Sequence, residues 1–412
     1  MTGSVRRVAM VSMHTSPAAA PGTADAGGMN VAILGLAREL GDRGVDVDLL
    51  TRAEGEPSVT RLADRVTLHE LAAGPHGPVA KEQLSAVTDE FGEAVARLAG
   101  RESQRYDVVH AHYWLSGLAV LPVAIELGIP LVQSFHTLGA MKHRDMPAGA
   151  RLTEPERRVR TETFLALQAD AVVASSTAEV GQLIEQVGAE PDRVWIMPPG
   201  VDTALFAPEP DAGDAVRLAL GVESGRPLIA VVGRVQELKG QRLAVRALAA
   251  LPSPRPILVI AGEPTPGAED YFTGLRALAL ELGVGNDVRF AGALGRRRVA
   301  ELFAAAAVTL VPSHSETFGL VALESAASGT PVVAQRVSGL AESVSHGRSG
   351  VLVDSRDPAE WARAIALLLD DPVAYAELSA SARDFAEGFS WASSVSILLD
   401  VYDRVLNHRP AR

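Results

Sequence analysis

Short runs of β-branched and aliphatic residues alternate with longer stretches whose apolar positions recur every three or four residues, almost from end to end. The first pattern fits buried strands and the second amphipathic helices, and their alternation predicts an α/β chain with parallel sheets flanked by helices. Val8 to Met13, Val45 to Thr51, Val108 to His112, Pro130 to His136, Ala171 to Ser175 and Val194 to Met197 read as strands. Helical patterns such as Asn30 to Arg43 and Leu84 to Leu98 lie between them. Around Pro198-Pro199-Gly200 the pattern breaks. A second series then runs through Leu228 to Val232, Ile257 to Ala261, Val288 to Ala291, Val308 to Val311, Pro331 to Ala334 and Gly350 to Val353.

The break puts a domain change between about 198 and 215, with units at residues 1–200 and 201–390. The length of 412 residues, beyond what one hydrophobic core usually organises, favours the same division. Trp391 to Leu406 forms one more amphipathic pattern, so residues 391–412 are expected to cross back to the first domain. Each series reads as a doubly wound, Rossmann-like unit, in which ligands bind outside the carboxyl ends of the strands. Two such units facing each other make an interdomain cleft.

Composition narrows the function. An apolar fraction of 47% and a charged fraction of 21% are ordinary for a globular chain. The net charge of -12 opposes adhesion to nucleic acid or anionic lipid. Absence of cysteine removes disulfides, thiolate metal sites and thiol nucleophiles, and agrees with a cytoplasmic location. Arg6-Arg7 before an apolar run superficially resembles a secretion signal, but Val8 to Met13 is too short and His14 closes it. No stretch has the roughly 20 apolar residues needed to span a bilayer.

Candidate chemistry gathers at three strand ends. Gly22 to Gly28 is a glycine-rich loop before a helix, where backbone N–H groups suit an anion such as a diphosphate. Alone it is equally a flexible helix entrance, and it lacks the dinucleotide and phosphate-loop fingerprints of dehydrogenases and kinases. After the first strand of the second series, Arg234 and Lys239 straddle a strand-to-helix turn. They are either a solvated pair or two cations able to neutralise a departing diphosphate without a metal. The third segment runs from Ser313 to Glu324, with Glu316 expected where a helix begins and Glu324 among Leu323, Ala326 and Ala327. An unpaired carboxylate there is costly, which favours a ligand contact over chance.

Together, the Arg…Lys pair and the two glutamates flanking Phe318-Gly319-Leu320 resemble the donor site of the family-four retaining glycosyltransferases of GT-B fold, and the likeness spans nearly the whole chain. The resemblance implies an N-terminal acceptor domain, a C-terminal nucleotide-sugar domain and a nucleoside-diphosphate sugar as substrate, with no cofactor and no metal in the chemistry. It implies catalytic roles for Arg234, Lys239, His136 and Glu316. Arg234 and Lys239 would hold the diphosphate, His136 and Glu316 the sugar, and Glu324 the ribose, with Gly27, Gly28, Phe318, Gly319 and Leu320 completing the donor site.

Further stretches, Asp25 to Asn30, Lys81 to Leu84, His110 to Gly117 and His136-Thr137, are most similar to the actinobacterial branch that glycosylates D-inositol 3-phosphate in mycothiol synthesis. That likeness implies UDP-N-acetylglucosamine as donor, Asn30 on the inositol, and Lys81, Tyr113, Thr137 and Arg158 on its phosphate. The chain departs from the branch at Leu138 to His143, at Gly149 to Pro155, and at Leu294, where the branch carries arginine. A paralogue using a GDP-sugar and a thiol of the ergothioneine type therefore stays open, as does a non-transferring binder or epimerase. A homodimer is compatible with either.

Overall fold

A computed structural model of the chain describes residues 5–22, 26–80, 83–100, 105–139, 156–209, 212–223 and 225–407. Strands form where the β-branched runs are. In the first domain β1 (Arg7–Val11), β2 (Asp46–Arg52), β3 (Ser58–Ala63), β4 (Val66–Leu71), β5 (Val108–His112), β6 (Leu131–Ser134), β7 (Ala171–Ala174) and β8 (Val194–Ile196) build one sheet. Its spatial order is β3-β4-β2-β1-β5-β6-β7-β8. In the second domain β9 (Leu228–Val232), β10 (Ile257–Ala261), β11 (Val288–Gly292), β12 (Val308–Val311), β13 (Val332–Gln335) and β14 (Gly350–Val353) give the order β11-β10-β9-β12-β13-β14. These are two doubly wound parallel sheets of Rossmann type, and each reverses direction beside its first strand, the usual place for a ligand crevice.

Two expectations need correction. The sequence reading passed over β3 and β4, a hairpin antiparallel within itself at the edge of the first sheet. Val59, Thr60 and Arg61 of β3 are all exposed, so the strand shows no period-two alternation, and Arg65 at φ 56° makes the turn in place of the glycine such a turn favours. The single helix expected over Leu84 to Leu98 is split into a 3₁₀ turn, Leu84–Ala86, and a helix, Thr88–Ala99.

Apolar layers cover both faces of each sheet. Met197 packs in the first domain's core, whereas Val201 and Phe206 belong to the second. The chain returns beside this point, since Val201 N donates to the Phe389 carbonyl at 2.9 Å. The helix Trp391–Asn407 then buries Val395, Leu398, Val401 and Tyr402 in the first domain's core. Glycine permits that return: a Cβ on Gly35 would meet the Trp391 ring at 2.5 Å, and one on Gly200 the Trp391 backbone nitrogen at 2.3 Å. Low on the first sheet, buried Asp48 accepts from Arg7 at 2.6 Å and Tyr106 at 2.9 Å, and pairs with His69 at 3.0 Å.

Candidate active site

A cleft of about 1130 Å³ opens between the carboxyl ends of the two sheets. The first domain lines it with Gly27, Gly28, Tyr113, His136 and Thr137. The second lines it with Arg234, Lys239, Glu316, Phe318, Gly319 and Leu320. Residues separated by two hundred positions thus face one space. At the narrow point a Cβ on Gly28 would lie 3.5 Å from Leu320 of the other domain. Gly28 opens the helix Gly28–Asp42, whose first N–H groups have no side-chain cap and so suit phosphate oxygens.

The second domain's side is built on two turns. Arg234 follows β9, and its carbonyl accepts from buried Gln241 Nε2 at 2.9 Å. Lys239 ends a 3₁₀ turn, Glu237–Lys239, and Gly240 follows at φ 68° with its Cβ position only 2.0 Å from the Pro312 carbonyl oxygen. Only glycine fits there, so the turn is pressed against the loop after β12. Lys239 Nζ accordingly reaches Glu316 Oε1 at 2.5 Å, and Ser313 Oγ donates to the same oxygen at 2.8 Å. Glu316 does not begin a helix as expected: Gly319, at φ 99°, caps the helix Leu320–Ala327 and leaves Glu316 in the preceding loop. Glu324 lies one turn beyond Leu320, outside the cleft lining, and its Oε1 receives Arg296 Nη1 at 3.1 Å. Burial pushes its carboxyl up, while Arg296 pulls it down and Asp202 raises it further.

On the first domain's side, the turns after β5 and β6 hold Tyr113 (φ 75°) and His136 (φ 60°), left-handed conformations that non-glycine residues rarely hold outside strained sites. His136 Nε2 lies 2.9 Å from His112 Nδ1, and the His136 carbonyl accepts from Thr317 Oγ1 at 2.5 Å. Behind them His110 stacks on His112 at 4.2 Å and bonds Ser134 Oγ at 2.9 Å and Tyr402 OH at 2.8 Å. Burial pushes His136 down to about 4 and His110, beside it, to about 3. Both are neutral near pH 7, so His136 faces the cleft as a hydrogen-bonding imidazole and not as a cation.

The acceptor set is divided. Thr137 and Tyr113 line the cleft. Asn30 is buried and fully engaged, accepting from Gly27 N at 2.9 Å and donating to the Ser16 carbonyl at 2.7 Å and to Thr15 Oγ1 at 3.1 Å. It shapes the Gly27 loop from behind. Arg158 is also buried, held by Glu162 at 2.6 Å and donating to Thr137 Oγ1 at 3.0 Å, with its guanidinium 4.9 Å from the Tyr113 ring centre. Lys81 lies outside the described residues, as do residues 140–155.

The family model described as Glycosyltransferase Family 4 matches residues 26–205, and that described as Glycosyl transferases group 1 matches residues 214–385. A D-inositol 3-phosphate glycosyltransferase of Acidothermus cellulolyticus is 45% identical over 98% of this chain and 91% of its own length. One from Salinispora arenicola is 43% identical over 96% of this chain and 91% of its own. The chain belongs to this glycosyltransferase family. The glycosyltransferase has the GT-B fold, matching sucrose-phosphate synthase from Thermosynechococcus elongatus with a TM-score of 0.89 at 29% identity, over 98% of this chain and 100% of that one.

Sequence reasoning missed the contacts that hold the two halves of the glycosyltransferase's site together. Ser176 Oγ donates to the Thr317 carbonyl at 2.8 Å, and Glu342 accepts from Thr177 N at 3.1 Å and Ala178 N at 3.2 Å across the domains. Glu179, in the cleft wall, is pushed up to about 7 by burial despite accepting from Ser175 N at 2.7 Å. The available signal was Ser176-Thr177-Ala178-Glu179, a capping-box spacing. Among the described residues no cluster of His, Asp or Glu has metal-holding geometry, and no helix is long and apolar enough to cross a membrane.

Proposed function

We propose that this glycosyltransferase moves N-acetylglucosamine from its UDP donor to a hydroxyl of an inositol phosphate, with retention at the anomeric carbon, in the cytoplasm. The observation that carries the reading is the convergence of Arg234, Lys239 and Glu316 opposite Gly28 and His136. Arg234, Lys239 and the helix entrance at Gly28 would hold the diphosphate, Glu316 and His136 the sugar, and Glu324 the ribose. The acceptor oxygen bonds to the anomeric carbon on the face from which the diphosphate leaves. The anomeric C–O bond to the β-phosphate breaks, and the acceptor proton passes to a β-phosphate oxygen. Two preorganised cations supply the charge stabilisation for that step, so no metal is needed. Transfer to the inositol phosphate rests on the names of the relatives and on Thr137 and Tyr113 in the cleft.

One observation favours a second reading. Arg158 spends its guanidinium on Glu162 and Thr137, and Glu54, Glu56 and Glu70 line the acceptor half of the cleft. That wall suits a neutral or zwitterionic acceptor, such as a thiol, taking sugar from a GDP donor. Product mass spectrometry with UDP-N-acetylglucosamine and inositol 3-phosphate, against GDP-sugars with a thiol acceptor, separates the two. Turnover confined to the second pair overturns the first reading. Sugar or epimer released without an acceptor overturns transfer itself.

A further inference from the structure

Glu324 is 7% exposed on a helix face it shares with Leu323, Ala326 and Ala327, which are at most 1% exposed. A carboxylate so placed needs a counter-charge to stay ionised and a partner to fix its rotamer. Arg296, the first residue of the helix Arg296–Ala305, provides both. Its Nη1 is 3.1 Å from Glu324 Oε1, and its guanidinium carbon lies 5.1 Å from the centre of the Phe206 ring. The ring contact and the carboxylate bond together restrain the guanidinium. Of the three consecutive arginines, Arg296 is the one turned inward: Arg297 and Arg298 are exposed and pair with Glu301, and Arg297 also with Glu209.

The other charges around Glu324 do not replace it. Asp202, from the interdomain crossover, opposes ionisation. Arg383, from the helix Pro372–Glu387 packed alongside, donates to the carbonyls of Phe206, Ala327 and Thr203 and pairs with Glu387. Lys239 is committed to Glu316. Among the described residues no donor reaches Glu324 Oε2.

We propose that Arg296 is the positioning residue of the donor's ribose subsite, keeping Glu324 ionised and oriented so that its carboxylate accepts from the vicinal hydroxyls of a nucleotide ribose. The proposal rests on the reading of Glu324 as the ribose contact. Arg296 stands two residues beyond Leu294, where the sequence departs from the mycothiol branch. Here the inward cation of that segment is tied to the ribose carboxylate. Without Arg296, burial and Asp202 act unopposed, the carboxyl protonates at higher pH, and it becomes a poorer acceptor as pH falls.

The test is calorimetric binding of UDP and of GDP to the full chain at several pH values, for wild type, Arg296→Met, Arg296→Lys, Glu324→Gln and the outward control Arg297→Met. In Arg296→Met the Kd of the better nucleotide should rise about tenfold near pH 7 and further at lower pH, and recover as pH is raised. Arg296→Lys should restore most of the affinity, and Arg297→Met should behave as wild type. Glu324→Gln should weaken binding equally at every pH. An Arg296→Met loss that does not vary with pH, or no loss beside a clear one in Glu324→Gln, overturns the role of Arg296. Unchanged affinity in Glu324→Gln, or no binding of either nucleotide by the wild type, overturns the ribose or donor reading beneath it.

Discussion

Replacing Lys239 by methionine keeps most of the side chain's volume and removes its charge, which makes it the sharpest probe of the proposed diphosphate site. The folded state loses one ion pair, 2.5 Å long, whose side chains are 27% and 17% exposed. Solvent screening at that exposure limits its contribution to about 1 kcal/mol. Ser313 still donates to Glu316 at 2.8 Å, so the carboxylate is not stranded. For a chain of 412 residues the thermal midpoint should drop by only about 1 °C. On the proposed role of Lys239 the transition state should lose far more, because a preorganised cation would no longer meet the charge developing on the leaving diphosphate. Removing one such group costs about 3 to 4 kcal/mol, or 10² to 10³ in kcat. Initial rates at saturating donor and acceptor, with a thermal melt on the same preparation, measure both quantities. Lys239→Arg should recover part of the rate, and Arg234→Ala should fall in the same range. Combining the two losses should give less than their product, since both cations act on one leaving group. The reasoning is refuted if Lys239→Met turns over within about threefold of wild type, or if its rate loss is matched by a large fall in the melting point.

Further outcomes follow from the same geometry. EDTA should leave turnover unchanged, because the two cations serve where a metal would; full loss of activity on chelation would contradict that assignment. Thr317→Val removes the hydroxyl bonded to the His136 carbonyl across the domains and should lower kcat about tenfold with little change in the melt, since one hydrogen bond is worth about 1 to 1.5 kcal/mol. Asp48→Asn uncouples Arg7, His69 and Tyr106 and should cost about 3 kcal/mol of stability by denaturant titration, leaving kcat intact in the folded fraction. His110 and His136 are held at about 3 and about 4 when folded, against an ordinary 6.5. The unfolded chain therefore binds more protons, and stability present above about pH 6.5 should drain away as pH falls toward about 4, read as a falling melting temperature over that window.

Much of this architecture was legible because its signals are local. A run such as Ile257–Ala261 is buried on both faces and bounded by turns, so its state follows from its own residues. Arg234, Lys239, Glu316 and Glu324 could be picked out because they sit at strand ends or on an apolar helix face, where a charge has a cost. Hairpin β3–β4 was invisible for the opposite reason, with an exposed edge strand and a turn made by arginine. The start of the Leu320–Ala327 helix was misjudged because the left-handed Gly319 imposes the break. Nor does anything local announce which partner a polar group will find. Glu324 meets Arg296 from 28 residues away, His136 meets Thr317 from 181, and His110 meets Tyr402 from 292.

Those long-range pairs explain why two domains with separate cores act as one site. The last helix supplies Tyr402 to His110, which stacks on His112, which bonds His136, whose carbonyl is gripped by Thr317 beside Glu316. The first link sits on an element that joins the first domain only because Gly35 and Gly200 let Trp391 approach. The final link crosses to the loop after β12, where Gly339 N fixes the Glu316 carbonyl at 3.0 Å and the neighbouring Glu342 caps the helix after Ser176. The cleft-facing groups of the two domains are therefore set against each other by backbone and buried rings instead of by long flexible side chains. Positioning of that kind loses little entropy when substrate arrives, so more of the binding energy remains for the chemical step.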